Sequence, residues 1–141
     1  MKIYRVTEPS AMLDRALENL LPQLSSSAKI PTSEYIAAML ADNNTHLLVA
    51  EIDGAIAGIL SLIVVNIPTG RKAWIEDVVV DSDFRGQNIG FELVEYAKNE
   101  AEKLGVKKIY LTSNPARQAA HRLYTKCGFE KYDTTLFRIL L

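Results

Sequence analysis

The spacing of apolar positions changes several times along the chain. Lys2–Val6 reads as a short strand. Leu13, Leu17, Leu20 and Leu21 then recur at helical spacing. Thr7 is the expected cap of that helix, with Pro9 in the first turn, where a missing N–H costs little. The polar stretch 24–32 reads as a loop before a second helix over Ser33–Ala41, whose buried side holds Tyr35, Ile36, Met39 and Leu40. The period then shortens. Two apolar runs, 47–52 and Ala55–Ile67, flank Asp53-Gly54, a strong hairpin signal. A turn at 68–70 leads to a third strand over 73–80, ending in the β-branched run Val78-Val79-Val80.

Beyond Asp81 the pattern is α/β. Residues 88–104 carry Ile89, Leu93, Ala97, Ala101 and Leu104 on one helical face, and Gly105 supplies a stop. Residues 107–112 read as a strand. Asn114 and Pro115 are placed to cap and open another helix, which ends at Gly128. Two short closing strands are expected over 129–131 and 134–140. The order is strand, two helices, three strands, helix, strand, helix, two strands. This is an α/β chain of the mixed α+β sheet kind, without the regular alternation of a doubly wound fold.

Composition narrows the picture. The chain has 141 residues, the size of a single domain over 1–141. At 48% apolar and 23% charged it can bury a core. Its net charge of -1 carries no basic excess of the kind a general nucleic-acid binder uses, so no nucleic-acid partner is expected. One cysteine, Cys127, permits no internal disulfide and no thiolate metal cluster. The apolar stretch 55–65 is far short of the ~20 residues that span a bilayer, and no secretory signal is visible. A cytoplasmic protein with no membrane partner is the expectation.

The most informative segment is 78–90, VVVDSDFRGQNIG. A buried strand runs through a loop containing Arg85 and Gly86 into a helix N-terminus. The first N–H groups of a helix lack partners within it and carry partial positive charge, so phosphates dock there. Gly86 and Gly90 leave room for close approach to the main chain, Asn88 tolerates positive φ, and Arg85 can hydrogen-bond phosphate in a fork. A tight strand-to-helix turn with a surface arginine explains the same pattern. Two other phosphate loops are excluded. Gly90 is followed by Phe91 and Glu92 rather than Lys-Ser/Thr, and the third glycine of a dinucleotide fingerprint is missing.

Arg85-Gly86-Gln87-Asn88-Ile89-Gly90 resembles the (Gln/Arg)-x-x-Gly-x-(Gly/Ala) loop of GCN5-related N-acetyltransferases (GNAT). The resemblance extends to Ile75-Glu76-Asp77-Val78-Val79-Val80, Thr112-Ser113-Asn114-Pro115, Ala119-Ala120-His121-Arg122-Leu123-Tyr124 and Cys127-Gly128-Phe129. In element order it covers nearly the whole chain. It departs from the family at Asn88, where glycine is usual, so a similarly bent loop with an altered contact is expected.

The resemblance implies the GNAT fold and acetyl transfer from acetyl-CoA, a co-substrate, to a primary amine. It implies direct attack in a ternary complex. Cofactor contacts would come from Val78, Val79, Val80, Arg85, Gly86, Gln87, Asn88, Ile89, Gly90 and Asn114. An amine of pKa ~10.4 must lose a proton before it attacks, and Glu76 is the candidate general base. Period two in the strand puts it on one face with Val78. A bulge or splay near Val78 and Val79 would free main-chain donors for the thioester. Tyr124 matches the family's tyrosine and is assigned as general acid for the leaving thiolate.

Plainer readings stand beside these. Glu76 next to Asp77 reads also as strand-edge charge, Asn114 as a helix cap, and Tyr124 as a core tyrosine. Cys127 has no paired base and reads as a small buried residue. His46 reads as structural or exposed. Lys126 and Arg122 are either ribose-phosphate contacts or solvated charges. The string 76–82 with a non-glycine at 88 resembles glucosamine-6-phosphate N-acetyltransferases, whereas 120–124 and 135–138 resemble aminoalkylphosphonate and small-amine acetyltransferases. A small-molecule or peptide amine acceptor is therefore left open, as is a homodimer through the closing strands or the hairpin. Two other classes are a catalytically silent CoA-binding or regulatory protein and an adaptor using its last strand.

Overall fold

The computed structural model describes residues 1–141. Its elements in order are β1 (Lys2–Val6), α1 (Ala11–Leu24), α2 (Ser33–Ala41), β2 (Thr45–Ile52), β3 (Ala55–Ile67), β4 (Gly70–Val80), a 3-10 turn (Ser82–Phe84), α3 (Ile89–Lys103), β5 (Ile109–Tyr110) and α4 (Gln118–Lys126). The strands form one sheet in the order β1-β2-β3-β4-β5. The first four are antiparallel neighbours, and β5 joins β4 in parallel after the α3 crossover.

Hairpin β2–β3 turns at Asp53 (φ 51°) and Gly54 (φ 81°), both left-handed. This is the condition for a two-residue turn whose twist matches the strands. The sheet separates two apolar layers. On one face Leu13, Leu17 and Leu20 of α1 and Ile36 and Leu40 of α2 pack on Leu47, Val49, Ile59 and Val79. On the other, Ile89, Leu93, Val94 and Ala97 of α3 and Tyr124 of α4 pack on Leu48, Leu60, Leu62, Ala73 and Ile75. Each fully buried leucine stabilises the fold by about 1.5–3 kcal/mol.

Several boundaries differ from those read off the sequence. Helix α1 starts later and is capped by Ser10, whose hydroxyl accepts from Leu13 N at 3.0 Å, rather than by Thr7. Pro9 disfavours helical geometry at the residue before it, which pushes the start past the proline. Helix α4 does not open at Asn114-Pro115. Asn114 Oδ1 accepts from Ala116 N at 2.8 Å and closes a separate turn, so the helix begins at Gln118 with Arg117 as its cap.

The strand expected over 107–112 shrinks to Ile109–Tyr110, because only Ala73 and Trp74 of β4 offer it partners. The closing strands over 129–131 and 134–140 do not form. No residue after Gly128 has positive φ, so the chain does not reverse into a tight hairpin, and residues 130–141 are exposed throughout.

Strand β4 carries the feature that shapes the site. Val79 pairs with Ile59 and Glu76 with Ser61, so Asp77 and Val78 together oppose Leu60. This is a β-bulge, and Asp77 takes it up at φ 51°. The extra residue breaks the period-two argument. Glu76, paired with Ser61, lies on the α1/α2 side of the sheet with Val79, whereas Val78 packs in the opposite layer. Glu76 and Val78 do not share a face.

Candidate functional site

Strand β4, the 3-10 turn and the start of α3 build one wall of a cleft, and α4 with its preceding turn builds the other. Its volume is about 690 Å³. It brings together Val78, Val79, Val80, Arg85, Gly86, Asn88, Ile89, Gly90 and Tyr124, all read from the sequence as site residues. Gln87, Asn114 and Glu76 do not line it. Gln87 belongs to the bend, exposed, and Asn114 spends its side chain on the turn before α4.

The bend has the main-chain property that phosphate binding needs. No peptide N–H of residues 85–91 donates to a main-chain carbonyl; the series resumes at Glu92 N, which donates to Asn88 O at 3.1 Å. Asn88 takes φ 64° and ψ 19° and provides no side-chain cap, so its left-handed geometry turns the chain without using these donors. The free N–H groups coincide with the positive end of the α3 dipole. Close packing holds the bend in place. A Cβ on Gly90 would stand 3.1 Å from Leu123 Cδ2, and one on Gly58 3.1 Å from Leu93 Cδ1 and 3.3 Å from the Val79 carbonyl.

Helix α1 anchors the same bend from behind. Asp81, 7% exposed, accepts from Asp83 N at 3.0 Å and from Asn19 Nδ2 at 2.8 Å. Gln23 Oε1 accepts from Ser82 N at 2.9 Å. The Asp83 main-chain N–H holds the Asp81 carboxyl below the usual carboxylate range, aided by Asn19, Gln23 and Arg85 against the opposing effect of burial.

At the inner end of the cleft Tyr124 is buried, its ring edge-on to Phe129 with centroids 6.0 Å apart. Burial raises its phenol pKa, and the Arg117 charge opposes the rise. Glu76 lies across the sheet, exposed, and its carboxyl is pushed up by desolvation and then by Asp77. β5 pairs with β4 at Ala73 and Trp74 alone, so the β4 residues from Glu76 to Val80 have no paired strand on that side.

Cys127 is buried, with its thiol pKa raised chiefly by desolvation, and His46 is buried in β2. His121 Nε2 lies 3.0 Å from Asn114 O. Lys126 lines the cleft with its ammonium 4.5 Å from the Phe91 ring centroid, whereas Arg122 does not line it. Sequence reasoning missed Gln23, Leu24, Phe84, Arg117 and Leu123 as lining residues. Leu123 was legible as the residue beside Tyr124 on the apolar side of α4. Phe84 was legible as the neighbour of Arg85 in the 78–90 segment; Gln23, Leu24 and Arg117 reach the cleft through tertiary packing, for which no local pattern exists.

Comparison with known proteins identifies the family. The model of the acetyltransferase (GNAT) family matches residues 13–129. Over 98 residues the chain is 34% identical to the aminoalkylphosphonate N-acetyltransferase of Salmonella typhimurium, covering 67% of this chain and 63% of that protein. It is 30% identical over 131 residues to glucosamine 6-phosphate N-acetyltransferase 1 of Oryza sativa, covering 84% and 76%. The matched stretch thus spans less than two thirds of the Salmonella protein's length. An aminoglycoside acetyltransferase from an uncultured soil metagenomic sample superposes with a TM-score of 0.86 at 23% identity, over 99% of this chain and 96% of that one, a likeness of fold. The chain belongs to the acetyltransferase (GNAT) family.

Proposed function

We propose that this protein transfers an acetyl group from acetyl-CoA to a primary amine on a small molecule, by direct attack in a ternary complex. The observation that carries the reading is the run of unpaired peptide N–H groups over 85–91, at a helix start that lines the cleft. These donors, with Arg85, would hold the pyrophosphate, and Lys126 stands near enough to the same wall to serve a further phosphate. Acetyl-CoA when bound supplies the activated acyl group.

The chain's own residues do the rest. The bulge leaves Asp77 and Val78 outside the regular ladder with β3, where their main-chain groups can face a developing oxyanion. Glu76, on the α1/α2 side, takes a proton from the amine, directly or through water. Its raised pKa makes it a better base than an ordinary glutamate. Tyr124, on the α3/α4 side, holds a phenol proton for the departing thiolate. The relatives' names give an aminoalkylphosphonate, an amino sugar phosphate and an aminoglycoside as acceptors for those proteins, which supports a small amine here.

Two measurements test the reading. Acetyl-CoA at ~100 times its dissociation constant should stabilise the fold by about 2.7 kcal/mol in thermal unfolding. Thiol release over a panel of amines should show turnover, which Glu76→Gln and Tyr124→Phe lower by about 10²–10⁴ without removing the thermal shift. A shift with no turnover on any amine would favour a silent CoA-binding protein.

A further inference from the structure

Helices α1 and α2 cover their face of the sheet only in part, packing on Leu47, Val49, Ile59 and Val79. Further along the same face, Ile63 and Val65 of β3 are half-buried beside Trp74 and Lys72 of β4, with which they pair. Tyr110 of β5 extends this floor, its ring centroid 5.4 Å from that of Trp74.

Opposite charges stand at the two ends of the floor. Strand alternation puts Lys72, Trp74 and Glu76 on one face, all before the bulge. Glu76 and its neighbour Asp77 form an exposed acidic end. Lys72 is half-buried at the other end. Its ammonium is held over two rings, 5.4 Å from the Tyr110 centroid and 5.9 Å from that of Trp74. The ion pairs of the fold join Lys98 to Glu95 and Lys103 to Glu100, so Lys72 has no carboxylate partner. A lysine ordered by aromatic rings and left without a counter-ion is a receptor for an anion from outside.

The spacing limits what can touch both ends. Residues 72 and 76 are ~13 Å apart along the strand, at ~3.3 Å per residue, with the Trp74 side chain between them. A primary amine of pKa ~10.4 reaches the protein as an ammonium ion, which the acidic end attracts. An anion at the far end of the same molecule then falls to Lys72. A molecule whose amine and anion sit one carbon apart cannot reach both.

We propose that Lys72 seats an anionic group of the acceptor, that Trp74 and Tyr110 form the floor beneath it, and that the acceptor is a primary amine carrying its anion across a flat or apolar body. This names a substrate class within the acetyl-transfer reading and rests on it. Lys72 and Trp74 determine specificity, and Glu76 keeps its place as the group that takes the proton.

The test is kcat/KM from thiol release with two matched pairs of amines. In the long pair, para-(aminomethyl)benzylphosphonate carries its anion across a ring and para-ethylbenzylamine has a methyl there instead. In the short pair, aminomethylphosphonate is set against ethylamine. The wild type should favour the ring phosphonate over its neutral partner at least tenfold, mostly through KM, and should show no such preference in the short pair. Lys72→Met should bring the long-pair ratio close to one, and Lys72→Arg should keep it. Trp74→Leu should raise KM for both ring amines. Equal use of the two ring amines by the wild type overturns this inference and leaves acetyl transfer standing. A ratio that survives Lys72→Met, or one as large in the short pair, does the same, and an unmoved KM in Trp74→Leu overturns the floor. Silence on every amine, with the acetyl-CoA thermal shift intact, overturns the acetyl-transfer reading itself and this inference with it. Should Trp74→Leu not fold, the wild-type ratio and Lys72→Met still decide.

Discussion

Asn19 of α1 donates to the Asp81 carboxylate at 2.8 Å, joining residues 62 positions apart and fastening the first helix to the loop that opens α3. Asp81 accepts also from the Asp83 main chain, so one buried carboxylate holds both the helix and the turn. Hydrogen bonds to a charged group contribute about 1.5–3 kcal/mol. Asp81→Ala should therefore lower unfolding stability by about 2–3 kcal/mol, read from urea midpoints. The carboxyl's pKa is depressed in the fold, so its contribution is present above the unfolded value of ~3.9 and disappears as pH falls through the folded value. The variant and wild type should converge in acid.

Gly58→Ala should loosen the start of α3. The added methyl meets Leu93, Ile89 and the Val79 carbonyl at 3.1–3.3 Å, and the carbonyl cannot rotate away. Overpacking of this kind costs about 1–3 kcal/mol. Thermal unfolding should register that loss, and the acetyl-CoA shift should weaken because the free N–H groups move with the helix.

The pH profile identifies the base. Glu76→Gln should lower kcat by about 10²–10⁴. In the wild type, kcat/KM should rise through a pKa above the ordinary glutamate value of ~4.3, since desolvation and Asp77 both favour the protonated acid. Asp77→Asn removes the neighbouring charge and keeps a residue that tolerates left-handed φ. It should move that limb to lower pH. An unmoved limb assigns the titration to another group.

His46 is buried in β2 with its pKa lowered by desolvation and by Arg5, against smaller opposing effects that include the Glu100 and Asp42 charges. The folded protein resists protonating it, and the unfolded chain does not. Stability should therefore fall as pH drops below the unfolded value of ~6.5 and level off below the folded one, at up to about 1.4 kcal/mol per pH unit. His46→Leu should remove this limb from urea unfolding measured between pH 7 and 5.

Much of the molecule was legible from local pattern. β1, α2 and β3 fall on the expected residues, because apolar runs of strand composition, the helical spacing of Ile36, Met39 and Leu40, and the Asp53-Gly54 turn are all local signals. The bend before α3 was legible for the same reason: Gly86 and Asn88 announce their own backbone geometry. The resemblance implied a bulge near Val78 and Val79, but its effect on the face of Glu76 was not legible, since the phase shift depends on Leu60 of the partner strand facing two neighbours. The turn at Asn114 misled because a capping side chain and an Asx turn use the same residue and the same atom. The closing strands over 129–131 and 134–140 were expected because propensity says that a segment wants a partner, not whether one is at hand.

The surplus residue at Asp77 gives β4 two phases of inside and outside, one before it and one after. Deleting a single residue there would leave Ala73 and Ile75 where they are but rotate everything downstream by half a period. Val79 would exchange layers with its neighbours, and the loop from Asp81 onward would leave the sheet from the wrong side. Length at this point of the chain is thus under tighter control than side-chain identity.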